Sequence, residues 1–213
     1  MIIYANPTEQ FRSYQSEIES VVLSVMRGNS YILGNEVSAF EEEFADYIEI
    51  ASAIGVASGT NAIEISLRAL EIGLGDEVIT VSHTAVATVA AIEATGATAV
   101  LIDVEPDFYT LDPIQLNEVL TKKTRAVIAV HLYGQSADLE AISSFCNKNK
   151  LFLIEDVSQA HGAKYQGVRL GAFGGIGCFS CYPTKNLGAM GDAGLSVTND
   201  QKINKKIKML REY

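Results

Sequence analysis

From residue 53 to residue 157 the chain switches repeatedly between short apolar runs and longer stretches with a helical apolar stripe. "AIGVAS", "DEVITV", "ATAVLIDV", "RAVIAVHL" and "LFLIEDV" are the runs; "TNAIEISLRALEIG", "AVATVAAIEAT", "LDPIQLNEVLTK" and "ADLEAISSFCNKNK" lie between them. In the first of these helices Ile63, Leu67 and Leu70 share one stripe and Gly73 lies past its end; in the third, proline sits near the first turn. A strand that is apolar on both sides needs cover on both faces, and strands separated by helices run parallel. The pattern therefore predicts an α/β protein, a three-layer α/β/α arrangement around a mostly parallel mixed sheet. Such sheets bind ligands at the carboxyl ends of their strands.

The flanks predict less regular structure. Residues 16–27 carry Ile18, Val21, Val22, Val25 and Met26 at helical spacing. "NSYILGNEV" reads as a loop that ends at Gly34, and "SAFEEEFADYI" as a helix capped by Ser38. From residue 162 "GAKYQGVRLGAFGGIGCFSCY" alternates and is glycine-rich, which suits hairpin and antiparallel strand. "GLSVTND" is a further strand, and "QKINKKIKMLREY" a helix with Ile203, Ile207 and Leu210 on one face.

Charge and composition exclude some partners. The formal net charge is −10 and the basic clusters are short, so nucleic acid is not an expected ligand. The amino terminus lacks a basic segment followed by an apolar core, and the longest apolar stretch is broken by Glu93 and Gly96. Neither a leader nor a membrane span is expected. Three cysteines cannot build a disulfide framework, so the expected compartment is the cytoplasm. Cys178 and Cys181, at i and i+3 of a strand, turn to opposite faces and make a poor metal pair; His83, His131 and His161 lack a ligand spacing. No metal is expected.

Three features could carry chemistry. Lys185 is the only charged residue between Arg169 and Asp192, set among glycines, aromatics and small side chains. It is either a surface lysine on a loop or an amine held in a pocket. Asp156, with Glu155 beside it, ends an apolar strand; an acid there caps a turn or meets a ligand, and Gln159 and His161 follow in the same turn. In "ASGTNA" a strand end turns at Gly59 into a helix whose cap is Thr60 or Ser58, and the Thr60 and Asn61 amides there suit an anion. A phosphate-sized anion site, a strand-end acid and an isolated amine match the needs of pyridoxal 5'-phosphate.

These motifs are similar to those of the DegT/DnrJ/StrS sugar aminotransferases, pyridoxal-phosphate enzymes of the aspartate aminotransferase fold type. The runs "YILGNEVSAFEEEFADY", "GVASGTNAIEISLRALEIGLGDEVIT", "SHTAVATVAAIEATGATAVLIDVEPDFYTLDP", "AVIAVHLYGQSADLEAI" and "LIEDVSQAHGAKYQGVRLGAFGGIGCFSCYPTKNLGAMGDAG" carry the resemblance. It implies that Lys185 forms the Schiff base and moves the proton, and that Asp156 pairs with the pyridine nitrogen. It places Gln159 near the ring hydroxyl, Ser180 and Thr60 with Gly59 and the Asn61 amide at the phosphate, and Tyr31 and Leu33 at the sugar nucleotide. Ala85 stands where many members carry a ring-stacking aromatic, so the stack is either supplied by His83 or absent.

The same resemblance implies an enzyme that moves an amino group from glutamate, leaving 2-oxoglutarate, to a nucleotide-linked keto-deoxysugar, as a homodimer. Residues 1–213 then correspond to the cofactor-binding large domain, with 1–35 its amino-terminal helix and substrate loop, and the small carboxy-terminal domain lies outside the chain. A cofactor-binding scaffold without turnover is the alternative; a sugar dehydratase of this fold would carry histidine in place of Lys185.

Overall fold

The computed structural model describes residues 5–212, and the alternation is realised in it almost element for element. In chain order the elements are α1 (Pro7–Ser13), α2 (Gln15–Arg27), α3 (Asn35–Ile48), β1 (Ser52–Val56), α4 (Gly59–Ala69), β2 (Glu77–Val81), α5 (Val86–Ala94) and β3 (Thr98–Ile102). Then follow α6 (Leu116–Val119), β4 (Thr124–Val130), a 3-10 turn (Leu132–Gly134), α7 (Leu139–Asn149) and β5 (Phe152–Asp156). The last are the hairpin β6 (Lys164–Tyr165) and β7 (Val168–Arg169), then β8 (Ile176–Ser180), β9 (Gly194–Thr198) and α8 (Gln201–Leu210).

Seven strands form one sheet in the order β1-β9-β8-β5-β4-β2-β3. All neighbours pair parallel except at β9, which runs antiparallel to both β1 and β8. The six other strands therefore end on the same side. Central strands are apolar because both faces are covered: Ala126 to Val130 in β4 are all buried, and so is every residue of β8 and β9. Alternation along β8 sets the layers. Cys178 meets Ser66 of α4 on one face (3.5 Å), while the Phe179 ring lies edge-on to Phe44 of α3 on the other, centroids 5.0 Å apart. A fully buried side chain such as Ile128 stabilises this core, and its truncation to alanine costs about 2–5 kcal/mol.

Gly194 permits the close seating of β9. A Cβ there would lie 2.4 Å from the Ser58 carbonyl carbon, so no larger residue fits beneath the β1–α4 turn.

Several local expectations are corrected. The helix expected over 111–122 contracts to the single turn α6, because Asp112 accepts from the Ile114 amide (2.9 Å) and the Gln115 side chain (2.9 Å), and Leu120 is extended. α3 begins at Asn35 behind Gly34, so Ser38 lies inside the helix and caps nothing. After α4 the left-handed residue is Glu71 (φ 59°) and not Gly73. α1, absent from the sequence reading, starts at proline behind an Asn6 cap. α2 forms as expected but buries none of its residues within the described chain; Val21, Val22 and Met26 of its stripe are exposed. Ile207 of α8 is buried, whereas Leu210 is exposed.

Candidate active site

The carboxyl ends of β1, β2, β4, β5 and β8 surround a cavity of about 260 Å³ lined by Ser58, Gly59, Thr60, Thr84, Ala85, His131, Asp156, Ser158, Gln159, Ser180, Lys185 and Asp192, among others. The three sequence candidates converge there. Lys185, Asp156 and the β1–α4 turn line one space, although Thr60 and Lys185 are 125 positions apart in the sequence and the sheet brings them together.

The β1–α4 turn brings the start of α4 to the cavity. Ser58 is the cap, its Oγ accepting from the Asn61 amide (3.1 Å), and Asn61 Oδ1 accepts in return from the Ala57 amide (3.3 Å). Of the two expected caps Ser58 serves, and Thr60 is a residue of the first turn; the Asn61 amide, expected to face an anion, is committed to Ser58. The donors left at the helix start are the amides of Gly59 and Thr60, with the positive end of the α4 dipole behind them. Ser180, 8% exposed, stands across from this turn at the end of β8, its Oγ accepting from the Tyr182 amide (3.3 Å).

Asp156 and Glu155 are adjacent acids with opposite duties. Asp156 is 4% exposed and faces the cavity. Its Oδ1 accepts from the Ser158 amide (3.1 Å) and its Oδ2 from the Thr88 hydroxyl (2.9 Å), which in turn contacts the Thr84 hydroxyl (2.8 Å). Glu155 points to the other face and is fully buried. Oε1 accepts from the amides of Phe173 (2.8 Å) and Gly174 (2.7 Å), and Oε2 from that of Gly171 (2.8 Å). His131 Nε2 lies 3.2 Å from Oε2, while its Nδ1 accepts from the Ala137 amide (3.1 Å). Because Nδ1 is an acceptor, the Nε2 proton is the one donated to Glu155. This arrangement anchors the 171–174 loop beneath the site.

Lys185 sits on a loop closed by its own amide donating to the Tyr182 carbonyl (2.8 Å) and by Ala189 donating to Cys181 (2.8 Å). It also lines a neighbouring depression of about 590 Å³ together with Asn6, Gln10, Tyr133, Gln159, Thr184 and Asn186. Gln159 stands between the two spaces. Its Oε1 accepts from the amide of Tyr133 (3.0 Å), a residue held at φ 56°, so its NH₂ group is the one free to donate. His161 lies beneath the Lys185 loop against Phe179, ring centroids 5.4 Å apart, both nitrogens buried without a partner among the described residues. Burial, and secondarily the nearby Lys185 charge, hold its pKa below the ordinary value.

Other candidates lie outside the cavity. His83 is exposed and edge-on to Tyr133 (6.1 Å), and the cavity wall at this point is Ala85. Tyr31 is 71% exposed, its hydroxyl donating to the Met26 carbonyl (3.1 Å), and Leu33 is also exposed, at φ 51°. Neither lines the cavity. Residues that sequence reasoning missed are Thr84, Thr88 and Ser158. Thr88 was hidden inside an apolar helix, in the first turn of α5.

The cavity suits pyridoxal phosphate by its donor set and its shape. The absence of a Cβ at Gly59 lets the α4 start sit against Ser180 at the cavity edge, a buried carboxylate faces inward, and one amine reaches the same space.

Residues 12–213 match the DegT/DnrJ/EryC1/StrS aminotransferase family. The chain is 43% identical over 203 residues to dTDP-3-amino-3,4,6-trideoxy-alpha-D-glucose transaminase of Streptomyces venezuelae, covering 95% of this chain and 54% of that one. Its structure resembles that of S. venezuelae DesV in complex with a ketimine intermediate, with a TM-score of 0.97 and 42% identity, over 100% of this chain and 57% of the other. It also resembles NtdA from Bacillus subtilis with bound cofactor PMP, with a TM-score of 0.87 and 32% identity, over 92% and 44%. The chain thus spans about half the length of the curated relatives it matches.

Proposed function

The chain belongs to the DegT/DnrJ/EryC1/StrS aminotransferase family, and from that premise we propose that it forms the pyridoxal-phosphate-binding large domain of a nucleotide-sugar aminotransferase. The observation that carries this reading is the convergence of Lys185, Asp156 and the β1–α4 turn on one cavity. The Gly59 and Thr60 amides, with the Ser180 hydroxyl, would hold the phosphate; Asp156 would face the ring nitrogen, Gln159 the ring hydroxyl, and Lys185 the aldehyde carbon. When bound, the cofactor supplies an aldehyde that carries the amino group and a protonated ring that accepts the electron pair released at the substrate carbon.

The chain's own residues do the rest. Asp156, buried and held through both carboxylate oxygens, would favour a proton on the ring nitrogen. Lys185 Nζ, which lines the same cavity, would accept the proton from the donor's α-carbon and hold it for return. The amide and hydroxyl groups of Asn6, Gln10, Thr184 and Asn186 in the adjoining depression suit a polyhydroxylated acceptor, a keto-deoxysugar linked to a nucleotide. Glutamate is the proposed donor, 2-oxoglutarate its product, and a homodimer in the cytoplasm the proposed state. No helix among the described residues is long and apolar enough to cross a membrane.

The test is the absorption spectrum of the cofactor-loaded chain before and after glutamate. Loss of the near-visible band on adding glutamate supports the reading; a band that never forms, or that ignores every amino donor tried, counts against it.

A further inference from the structure

We propose that Thr88 is a positioning residue for Asp156, and that Thr84 completes a two-hydroxyl relay from the cavity wall to the buried carboxylate. The proposal rests on the functional reading above only for its consequence at the cofactor; the relay itself is a property of this chain.

Each oxygen of the Asp156 carboxylate has a single donor among the described residues. Oδ1 takes the Ser158 amide at 3.1 Å and Oδ2 takes the Thr88 hydroxyl at 2.9 Å. Rotation about the carboxylate axis would break both bonds in a place only 4% exposed, where water cannot replace them freely. Thr88 is wholly buried, so its hydroxyl has no solvent partner to compete with Asp156.

Thr88 has only one hydroxyl proton. While Asp156 is ionised, it can only accept, so that proton goes to Oδ2. The Thr88 oxygen must then be the acceptor from Thr84, 2.8 Å away. Thr84 lines the cavity, and with its own proton committed inward it turns only lone pairs to whatever binds there. The charge on Asp156 thereby sets the direction of the whole chain.

Local structure supports a dedicated role. Thr88 is in the first turn of α5, whose cap residue Ala85 offers no side-chain bond. A threonine hydroxyl so near a helix start ordinarily serves the helix backbone. Here it reaches across to β5 instead. The positive end of the α5 dipole points in the same direction and favours a carboxylate.

Two variants separate positioning from packing. Thr88→Val keeps the branched shape and removes the hydroxyl; Thr88→Ser keeps the hydroxyl and removes a methyl. In the cofactor-free chain, NMR hydrogen exchange at the Ser158 amide reads the carboxylate's second bond. Exchange at Ser158 should quicken about tenfold or more in Thr88→Val, stay near wild type in Thr88→Ser, and remain unchanged at Ala91 and Ile92 of α5 in both. With pyridoxal phosphate labelled at the ring nitrogen, the ¹⁵N shift should lose its protonated signature about one pH unit earlier in Thr88→Val, and Thr88→Ser should restore it.

Unaltered Ser158 exchange in Thr88→Val overturns the proposal, as does equal disturbance in both variants or exchange that rises throughout α5. If Ser158 responds as expected but no variant, nor wild type, binds the cofactor, the relay stands and the functional reading fails.

Discussion

Gly59 and Ser180 approach so closely that a Cβ at position 59 would lie 2.6 Å from the Ser180 Cβ and 3.1 Å from the Ser158 hydroxyl. The contact joins the start of α4 to the end of β8 and sets the depth of the proposed phosphate cradle. Gly59→Ala should force these elements apart, destabilising the chain by about 1–3 kcal/mol and weakening pyridoxal phosphate binding more than tenfold. Urea melts and a spectral titration of cofactor measure the two effects; wild-type affinity in the variant would show that the close approach has no part in binding.

Glu155 predicts the opposite balance to Asp156. Its carboxylate satisfies three backbone amides and faces His131, so Glu155→Ala strands a group of buried donors. A loss of about 3 kcal/mol or more is expected, with the 171–174 loop exchanging its amides faster. Asp156→Asn should leave the melt nearly unchanged and remove most half-transamination with glutamate. If Asp156→Asn turns over normally, its proposed role at the ring nitrogen is wrong.

The contrast between these two acids marks how much the sequence revealed. The parallel sheet was legible because periodicity reports burial, and the apolar runs of β2, β4 and β5 are buried on both faces. The convergence of Asp156, Lys185 and the β1–α4 turn on one cavity was legible because strand ends and residue types point to them. What Glu155 does was not, since its partners in the 171–174 loop depend on how that loop folds back. Side chains that form local bonds misled most. Asp112 and Gln115 turn the chain where periodicity predicted a helix, and Ser58 claims the Asn61 amide that an anion was expected to use. Thr88 left no trace because a threonine among alanines reads as helix.

His161 should make stability depend on pH. Burial holds its imidazole below the ordinary value of 6.5, and the Lys185 charge pushes the same way. As pH falls through that value the unfolded chain takes a proton that the folded chain refuses, so stability is full above it and declines below. His161→Gln should flatten this decline in denaturant midpoints measured across the interval. An identical slope in both proteins would assign the acid sensitivity to other groups.

The three cysteines should be inert in the folded chain. Burial pushes the Cys146 and Cys178 thiols up to about 12, and raises Cys181 as well. A disulfide reagent at about pH 8 should titrate none of them natively and all after denaturation. Rapid native labelling of Cys181, the one beside the Lys185 loop, would mean that this loop opens more readily than its two closing bonds imply.

The account turns on whether the amine at 185 meets the cofactor in the cavity that Asp156 faces. Borohydride treatment of the pyridoxal-phosphate-loaded chain, followed by peptide mass mapping, measures this most directly. The expected result is one reduced adduct, on Lys185, that disappears in Lys185→Ala; an adduct on another lysine, or one that persists in the variant, would contradict it.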